Sequence, residues 1–409
     1  MERPAVYGGS MPTTPGRFPW ARLAPLCLAV MLTVSAETLP AGVMPAMAAD
    51  LGVPETAIGT LVAVWGLTVI LTSIPLVRLL ARADRRAVVG IALTGMAAGN
   101  LATALAPDYA AAFASRLVGA TFHGVFWAMV VVYASSLLRP AHLAAGIAIV
   151  TGGSQLAAAL AIPAAAAAVE VVSWRWICAA VSIAALGIAA VILRALPSDP
   201  ADPPAAADVR AARPAPGRRA AGRLATPLLL SAAALLFVFG HFVVYTYITR
   251  FLTQVSGVDD ARQGLLLGII GVASIAGLVF SGPVTNRWPS RGPIVLFALF
   301  AAAMVLVGTA GTRLGLLAAG LALWGLMFGT IGPTVQALAL HATPPAHRAF
   351  VSAAMVVAFN LGISSGSWAG GLVLGATSSP ALSPFVAAVA LTAGAGLAVV
   401  VAVRRPRQA

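Results

Sequence analysis

The sequence predicts an all-α polytopic membrane protein in which twelve transmembrane helices form two pseudo-symmetric six-helix bundles. Composition is the first reason: 60% of the 409 residues are hydrophobic and 9% are charged, whereas soluble domains carry roughly 25% charged residues. Spacing is the second. The apolar residues gather into twelve runs, each long enough to cross a hydrocarbon layer about 30 Å thick as a helix of roughly 20 residues. Lipid offers the backbone no hydrogen bonds, so runs of this kind read as helices. Charge is the third reason. The 25 basic residues are all arginine, and they crowd the two tails and alternate loops, while only Arg175, Arg250, Arg262 and Arg313 mark the loops of the other side. Positive charge collects on the cytoplasmic side. Both termini are therefore expected in the cytoplasm of a bacterial cell, with the chain multi-pass in the inner membrane.

Taken in order, a Pro/Gly-rich tail over 1–19 reads as disordered. Spans follow near 23–46, 57–80, 87–106, 110–138, 143–168 and 173–196, then near 226–250, 262–286, 292–311, 314–340, 348–375 and 382–403. The first span is too long for a signal peptide cut after Ala48, and its removal would leave an odd number of crossings. Between the sixth and seventh spans, 197–225 has the Ala/Pro/Asp/Arg composition of a cytoplasmic linker. It divides a bundle over 20–196 from one over 226–404, and 405–409 is a short cytoplasmic tail. The halves share punctuation: Ser73-Ile74-Pro75 precedes Arg82, Asp84, Arg85 and Arg86, as Ser281-Gly282-Pro283 precedes Arg287 and Arg291. Gly325 with Gly329, and Gly362 with Gly366 and Gly370, have the small-xxx-small spacing that lets helices approach closely.

Several functions are argued against. A net charge of +13 would suggest nucleic acid if the arginines clustered on a soluble domain, which they do not. The chain has no Lys and so no nucleotide-binding Gly-rich Lys-Ser/Thr loop, which excludes ATP hydrolysis. Cys27 and Cys178 lie inside apolar runs, and the five histidines lack HExxH spacing, so neither a metal nor another cofactor is expected. An enzyme is not expected.

Four segments carry a family resemblance. The first span and its exit read Ser35-Ala36-Glu37-Thr38-Leu39-Pro40-Ala41-Gly42-Val43-Met44-Pro45, followed by Asp50-Leu51-Gly52-Val53. The others are Trp174-Arg175-Trp176, Tyr245-Thr246-Tyr247-Ile248-Thr249, and Phe359-Asn360-Leu361-Gly362-Ile363 running to Gly370-Gly371. Together, over about residues 20–400, they resemble the drug and sugar exporter branch of the major facilitator superfamily, which includes arabinose efflux permease-like and chloramphenicol-type exporters. The resemblance implies two six-helix repeats around a central cavity in a monomeric chain whose partners are a small molecule, protons and the bilayer. It also implies export of a polar or amphipathic sugar, drug or metabolite by proton antiport with alternating access. Two departures stand out. The acid in the loop between spans two and three is displaced towards Asp84, and the fifth-span antiporter motif survives only as Gly152-Gly153 and Ile162-Pro163. Uptake or facilitated transport on the same fold, and a non-transporting membrane sensor, are the alternatives.

Ionisable residues within spans are costly and usually face a cavity or a partner. Glu37 is the one acid well inside a span, and Arg116 the one arginine. Both fall in the half of their spans far from the termini, so they would pair if spans one and four adjoin. Burial and a neighbouring cation pull a carboxyl's proton occupancy in opposite directions, which makes Glu37 the candidate proton site and Arg116 its switch. Arg116 also heads Arg116-Leu117-Val118-Gly119, similar to a fourth-span pattern of the superfamily implicated in proton coupling. A static ion pair is the other reading. His123 follows Arg116 by two turns on one face, and His241 holds in the second half nearly the place of Glu37; either is a proton relay or a neutral cavity histidine. Gln155 and Asn360 lie at matching depths in spans five and eleven, as substrate contacts or helix–helix hydrogen bonds. Phe126, Trp127, Tyr245 and Tyr247 would line an amphipathic pocket or pack. Pro75, Arg82, Asp84, Arg85, Arg86, Pro283 and Arg287 are the candidate conformational loop motifs.

Overall fold

The computed structural model describes residues 18–80, 83–139, 142–199, 218–344 and 347–404. The expected tails up to residue 17 and beyond 404, Arg82, and linker residues 200–217 lie outside them. Twelve helices among the described residues are long and apolar enough to cross a membrane.

The first crossing is α1 (Trp20–Gly42), which contains Pro25 and Pro40 and stops at Val43 before a short α2 (Met44–Leu51). Gly52 ends α2 with φ 65°, the left-handed cap glycine adopts without strain. Next come α3 (Glu55–Leu79), α4 (Arg85–Ala104) and α5 (Tyr109–Ser136). The fifth crossing is broken into α6 (Leu143–Thr151), α7 (Gly153–Leu156), a π-helical turn over Ala157–Ala161 and α8 (Ile162–Ala168). The sixth is α9 (Trp174–Ala195). In the second half, α10 (Arg218–Tyr245) and α11 (Ile248–Gln254) form the seventh crossing, followed by α12 (Asp260–Arg287), α13 (Gly292–Ala310), α14 (Leu314–His341), α15 (Arg348–Thr377) and α16 (Ser383–Arg404).

Packing repeats between the two sets of six. The third crossing lies on the fourth and sixth as the ninth lies on the tenth and twelfth, and the first lies on the fifth and sixth as the seventh lies on the eleventh and twelfth. Across the middle, α3 packs along α15, and α12 packs along α8 and the π turn, touches α7, and makes no comparable contact with α6. The two sets thus meet towards the face opposite the termini and part towards the terminal face. Glycines permit the meeting: Gly271 on α12 lies against the backbone of Ala159 in the π turn, and Gly66 on α3 against the carbonyl of Asn360. A side chain at either site would collide with backbone.

Ion pairs lie at both ends, and of those described only Arg250–Glu55 joins the two sets. At the face opposite the termini, Arg250 on α11 donates from Nη1 to Glu55 Oε1 on α3 at 3.0 Å, and Gln254 donates to the Ser378 carbonyl at 3.0 Å. Within the first half, Arg175 joins Asp50 at 2.9 Å and donates to the carbonyls of Ala104 and Ala106. On the terminal face, Asp84 caps α4 by accepting from the Arg86 N–H, and its carboxylate also takes the Ser198 hydroxyl and the Asp199 N–H. Arg85 returns to Asp199 at 3.1 Å. The start of the linker is thereby fastened to the loop that opens α4. Partial burial opposes ionisation of Asp84, but the hydrogen bonds from Asp199, Ser198 and Arg86, with the Arg86 charge, hold its carboxyl below the usual range. This fastening is therefore in place at neutral pH and loosens only as pH falls through that lowered value. Pro75 and Pro283 are exposed within α3 and α12, and Arg287 is the exposed last residue of α12.

A partly exposed ion pair contributes up to about 1 kcal/mol, a factor of about five in a two-state ratio. With spin labels on Glu170 and Arg313, Arg250→Ala is expected to raise the long-distance population up to about fivefold in pulsed dipolar spectra. An unchanged distribution would show that this pair does not hold the face closed.

Candidate functional site

Pro40 sets up the site. It has no N–H, so the carbonyl of Ala36, one turn earlier in α1, loses its intrahelical donor. Arg116 on α5 takes over. Its Nη1 donates to the Ala36 carbonyl and its Nη2 to the Glu37 carbonyl, each at 2.7 Å. Arg116 is 1% exposed, and its guanidinium carbon lies over the Trp65 ring of α3, 3.9 Å from the centroid. Such a contact is worth about 2 kcal/mol when desolvated, which offsets part of the cost of burying a cation.

The expected pairing of Arg116 with the Glu37 side chain is corrected here. Spans one and four adjoin, but the guanidinium holds the main chain of Glu37 and makes no ion pair with its carboxyl. That carboxyl faces His123 instead, with Oε2 3.6 Å from Nε2. The His123 ring meets Trp65 edge-on at 5.3 Å and Trp127 at 6.3 Å. Four buried polar atoms of this cluster have no hydrogen-bond partner: Glu37 Oε1, Trp65 Nε1, Arg116 Nε and His123 Nδ1.

The remaining candidates are dispersed. His241 sits in the other half, where its Nδ1 accepts from Trp324 Nε1 at 2.9 Å and its ring stacks on Phe328 at 3.9 Å and Tyr245 at 4.6 Å. An indole N–H can only donate, so Nδ1 carries the lone pair. Phe126, 0% exposed, belongs to the core of the first half, so the pocket-lining expectation gives way to packing. Tyr247 wedges its hydroxyl between Gly59 and Gly371 where α3 meets α15. It borders a cleft of about 530 Å³ with Thr56, Thr60, Tyr109 and Trp368, which none of Glu37, Trp65, Arg116 and His123 lines. Gln155 presents a buried, unpartnered Oε1 just before the π turn. Asn360 donates to the Val356 carbonyl of its own helix at 3.0 Å. Gly362-Ile363-Ser364-Ser365-Gly366 has the spacing of a hydrolase nucleophile elbow, but it lies within α15, where Ser364 donates to the Asn360 carbonyl. A nucleophile needs a strand-to-helix turn, which is absent at this position.

Trp65 went unnoticed in the sequence, since one tryptophan in an apolar span carries no signal. Pro40 with a lone arginine in another span was the available clue.

Two bundles of six membrane-crossing helices that touch at one face and part at the other, the first holding a buried ionisable cluster, define a membrane transporter. The chain belongs to the Major Facilitator Superfamily, whose model matches residues 26–367; it is a transporter rather than an enzyme. It is 31% identical over 369 residues to a chloramphenicol efflux pump of Mycobacterium tuberculosis strain H37Rv, covering 87% of each chain. A chloramphenicol efflux pump of strain CDC 1551 is 30% identical over 370 residues, also covering 87% of each. Among solved structures, a D-xylose-proton symporter superposes with a TM-score of 0.72 at 17% identity, covering 92% of this chain and 96% of that one. A bacterial homolog of the human lysosomal transporter Spinster, in an inward-facing and occupied conformation, superposes at 0.68 and 16% identity, covering 95% of each chain. At these identities the two structures bear on fold alone.

Removing the Arg116 donors leaves a buried carbonyl unpaired at about 1–3 kcal/mol, so Arg116→Ala is expected to lower the melting temperature in detergent by several degrees. In a Pro40→Ala background the new N–H serves Ala36, and the cost of Arg116→Ala is expected to shrink. Equal costs in both backgrounds would contradict the Pro40–Arg116 relation.

Proposed function

We infer that this chain exports a small amphipathic compound of the chloramphenicol kind from the bacterial cytoplasm, in exchange for protons, and that Glu37 is the proton site. The observation that carries this reading is the Glu37 carboxyl itself: buried, with Oε1 unpartnered, Oε2 facing a histidine, and the nearest guanidinium engaged elsewhere. An acid so placed is free to exist with or without its proton, whereas one clamped by an arginine would stay charged. Two relatives named as chloramphenicol efflux pumps, matched over most of their length, support the substrate class and the direction.

In this mechanism the arginine-rich terminal face is cytoplasmic. With the halves parted on that side, Glu37 gives up its proton to the cytoplasm and substrate enters. Rocking of 20–196 against 226–404 brings the parted cytoplasmic halves together and opens the Glu55–Arg250 side. There substrate leaves and Glu37 takes a proton from outside. One charge crossing 100 mV contributes about 2.3 kcal/mol per cycle. Trp127, beside His123, is the proposed aromatic contact for substrate, with Gln155 as a polar contact. A single chain completes the cycle.

The test is a proton gradient imposed on inverted vesicles. Chloramphenicol is expected to collapse it with wild type and at least tenfold less with Glu37→Gln. Full collapse with Glu37→Gln would move the proton site elsewhere. Phenicol-independent gradients, with phenicol uptake still measurable, would contradict antiport.

A further inference from the structure

We propose that Trp65 is a positioning residue for proton exchange: its ring holds the Arg116 guanidinium on the α1 carbonyls and away from the Glu37 carboxyl. This deepens the reading of Glu37 as the proton site and rests on it.

Arg116 is a buried cation within one side chain's reach of a buried acid. Left to electrostatics alone, the two would join, and the acid would stay ionised. Two things prevent it. Pro40 presents the Ala36 carbonyl as an acceptor, with the Glu37 carbonyl beside it, and both Nη groups are used there. The Trp65 ring lies 3.9 Å from the guanidinium carbon and attracts the cation through its negative face without being able to titrate. The Trp65 indole N–H has no partner, so its place is not explained by a hydrogen bond of its own. Its ring also meets His123 edge-on at 5.3 Å, so one flat surface borders both groups that flank Glu37.

The ionisable groups facing Glu37 are few. Arg116 and His123 come from α5, and the buried thiol of Cys178 on α9 neighbours Arg116 rather than Glu37. Helices α3, α4, α6, α7 and α8 carry no acid or base away from their ends. Removing the attraction of the ring therefore leaves Arg116 one new partner of consequence, the Glu37 carboxylate. Trp65 also sits next to Gly66, the residue of α3 that lies against Asn360 of the opposite half. A shift of α3 along α15 moves the ring, and with it the cation, which ties proton occupancy to the position of the two halves.

A cation on the carboxylate favours the charged form, so protonation from outside would fail at a lower pH. The experiment is drug–proton exchange in proteoliposomes as a function of pH. It uses wild type, Trp65→Leu, Trp65→Phe, and a chain carrying tetrafluorotryptophan at position 65 alone, which keeps the shape of the ring and weakens its negative face. The alkaline limb is expected to move to lower pH by about one unit or more with Trp65→Leu and with the fluorinated ring. Trp65→Phe, which keeps an aromatic face, is expected to move less than half as far. Should Trp65→Leu fail to fold, the fluorinated chain decides, because its packing is unchanged. A fluorinated chain with the wild-type limb, or Trp65→Phe displaced as far as Trp65→Leu, would overturn the proposal. Absence of exchange in wild type would instead defeat the antiport reading, so the two failures are distinct.

Discussion

The carbonyl that Pro40 strips of its donor organises the first half of the molecule. A buried carbonyl must find a donor, and this one finds Arg116, which in turn must be accommodated as a cation far from water. Trp65 and the two α1 carbonyls do that together. Three helices converge on one point because a single backbone hydrogen bond is missing. The acid beside that point is then left without the cation that would otherwise hold it ionised.

The two halves share a packing plan but divide the chemistry. In the first half a carboxyl, a guanidinium and an imidazole meet around an indole. In the second, the corresponding helix carries His241, whose Nδ1 accepts from Trp324 and whose ring is stacked by Phe328 and Tyr245. The first half gathers four unsatisfied buried atoms around its acid, where the second holds an aromatic stack around its histidine. Between them lie contacts made mostly of glycine against backbone, with few side-chain locks. Such contacts are close yet carry little polar interaction to break, which suits two bodies that must part and rejoin.

Much of the fold was legible in the sequence, because lipid enforces helix on any apolar run of sufficient length. Span limits agree with most observed helices to within a few residues, save at the breaks near Val43 and Tyr247 and at the start of the seventh crossing, whose helix begins at Arg218. The π turn over Ala157–Ala161 was not legible: its residues are good helix formers, and only their packing on Gly271 distinguishes them. At the site, Glu37 and Arg116 stood out as the lone buried charges. Their relation did not. Opposite charges at matching depth suggest a salt bridge, and nothing in spacing says that a guanidinium will choose a carbonyl over a carboxylate. That choice depends on Pro40 and on Trp65, one three residues from the acid and the other on a different helix. Phe126 shows the converse limit, since an aromatic residue one turn from a functional face belongs as readily to the core.

The central claim is that proton and substrate exclude one another through Glu37, a linkage that must be reciprocal. It is tested most directly by calorimetric titration of the purified protein with chloramphenicol in buffers of different ionisation enthalpy. The account predicts release of about one proton per drug bound in wild type and none in Glu37→Gln. Binding without proton release in wild type, or release that persists in Glu37→Gln, would contradict it.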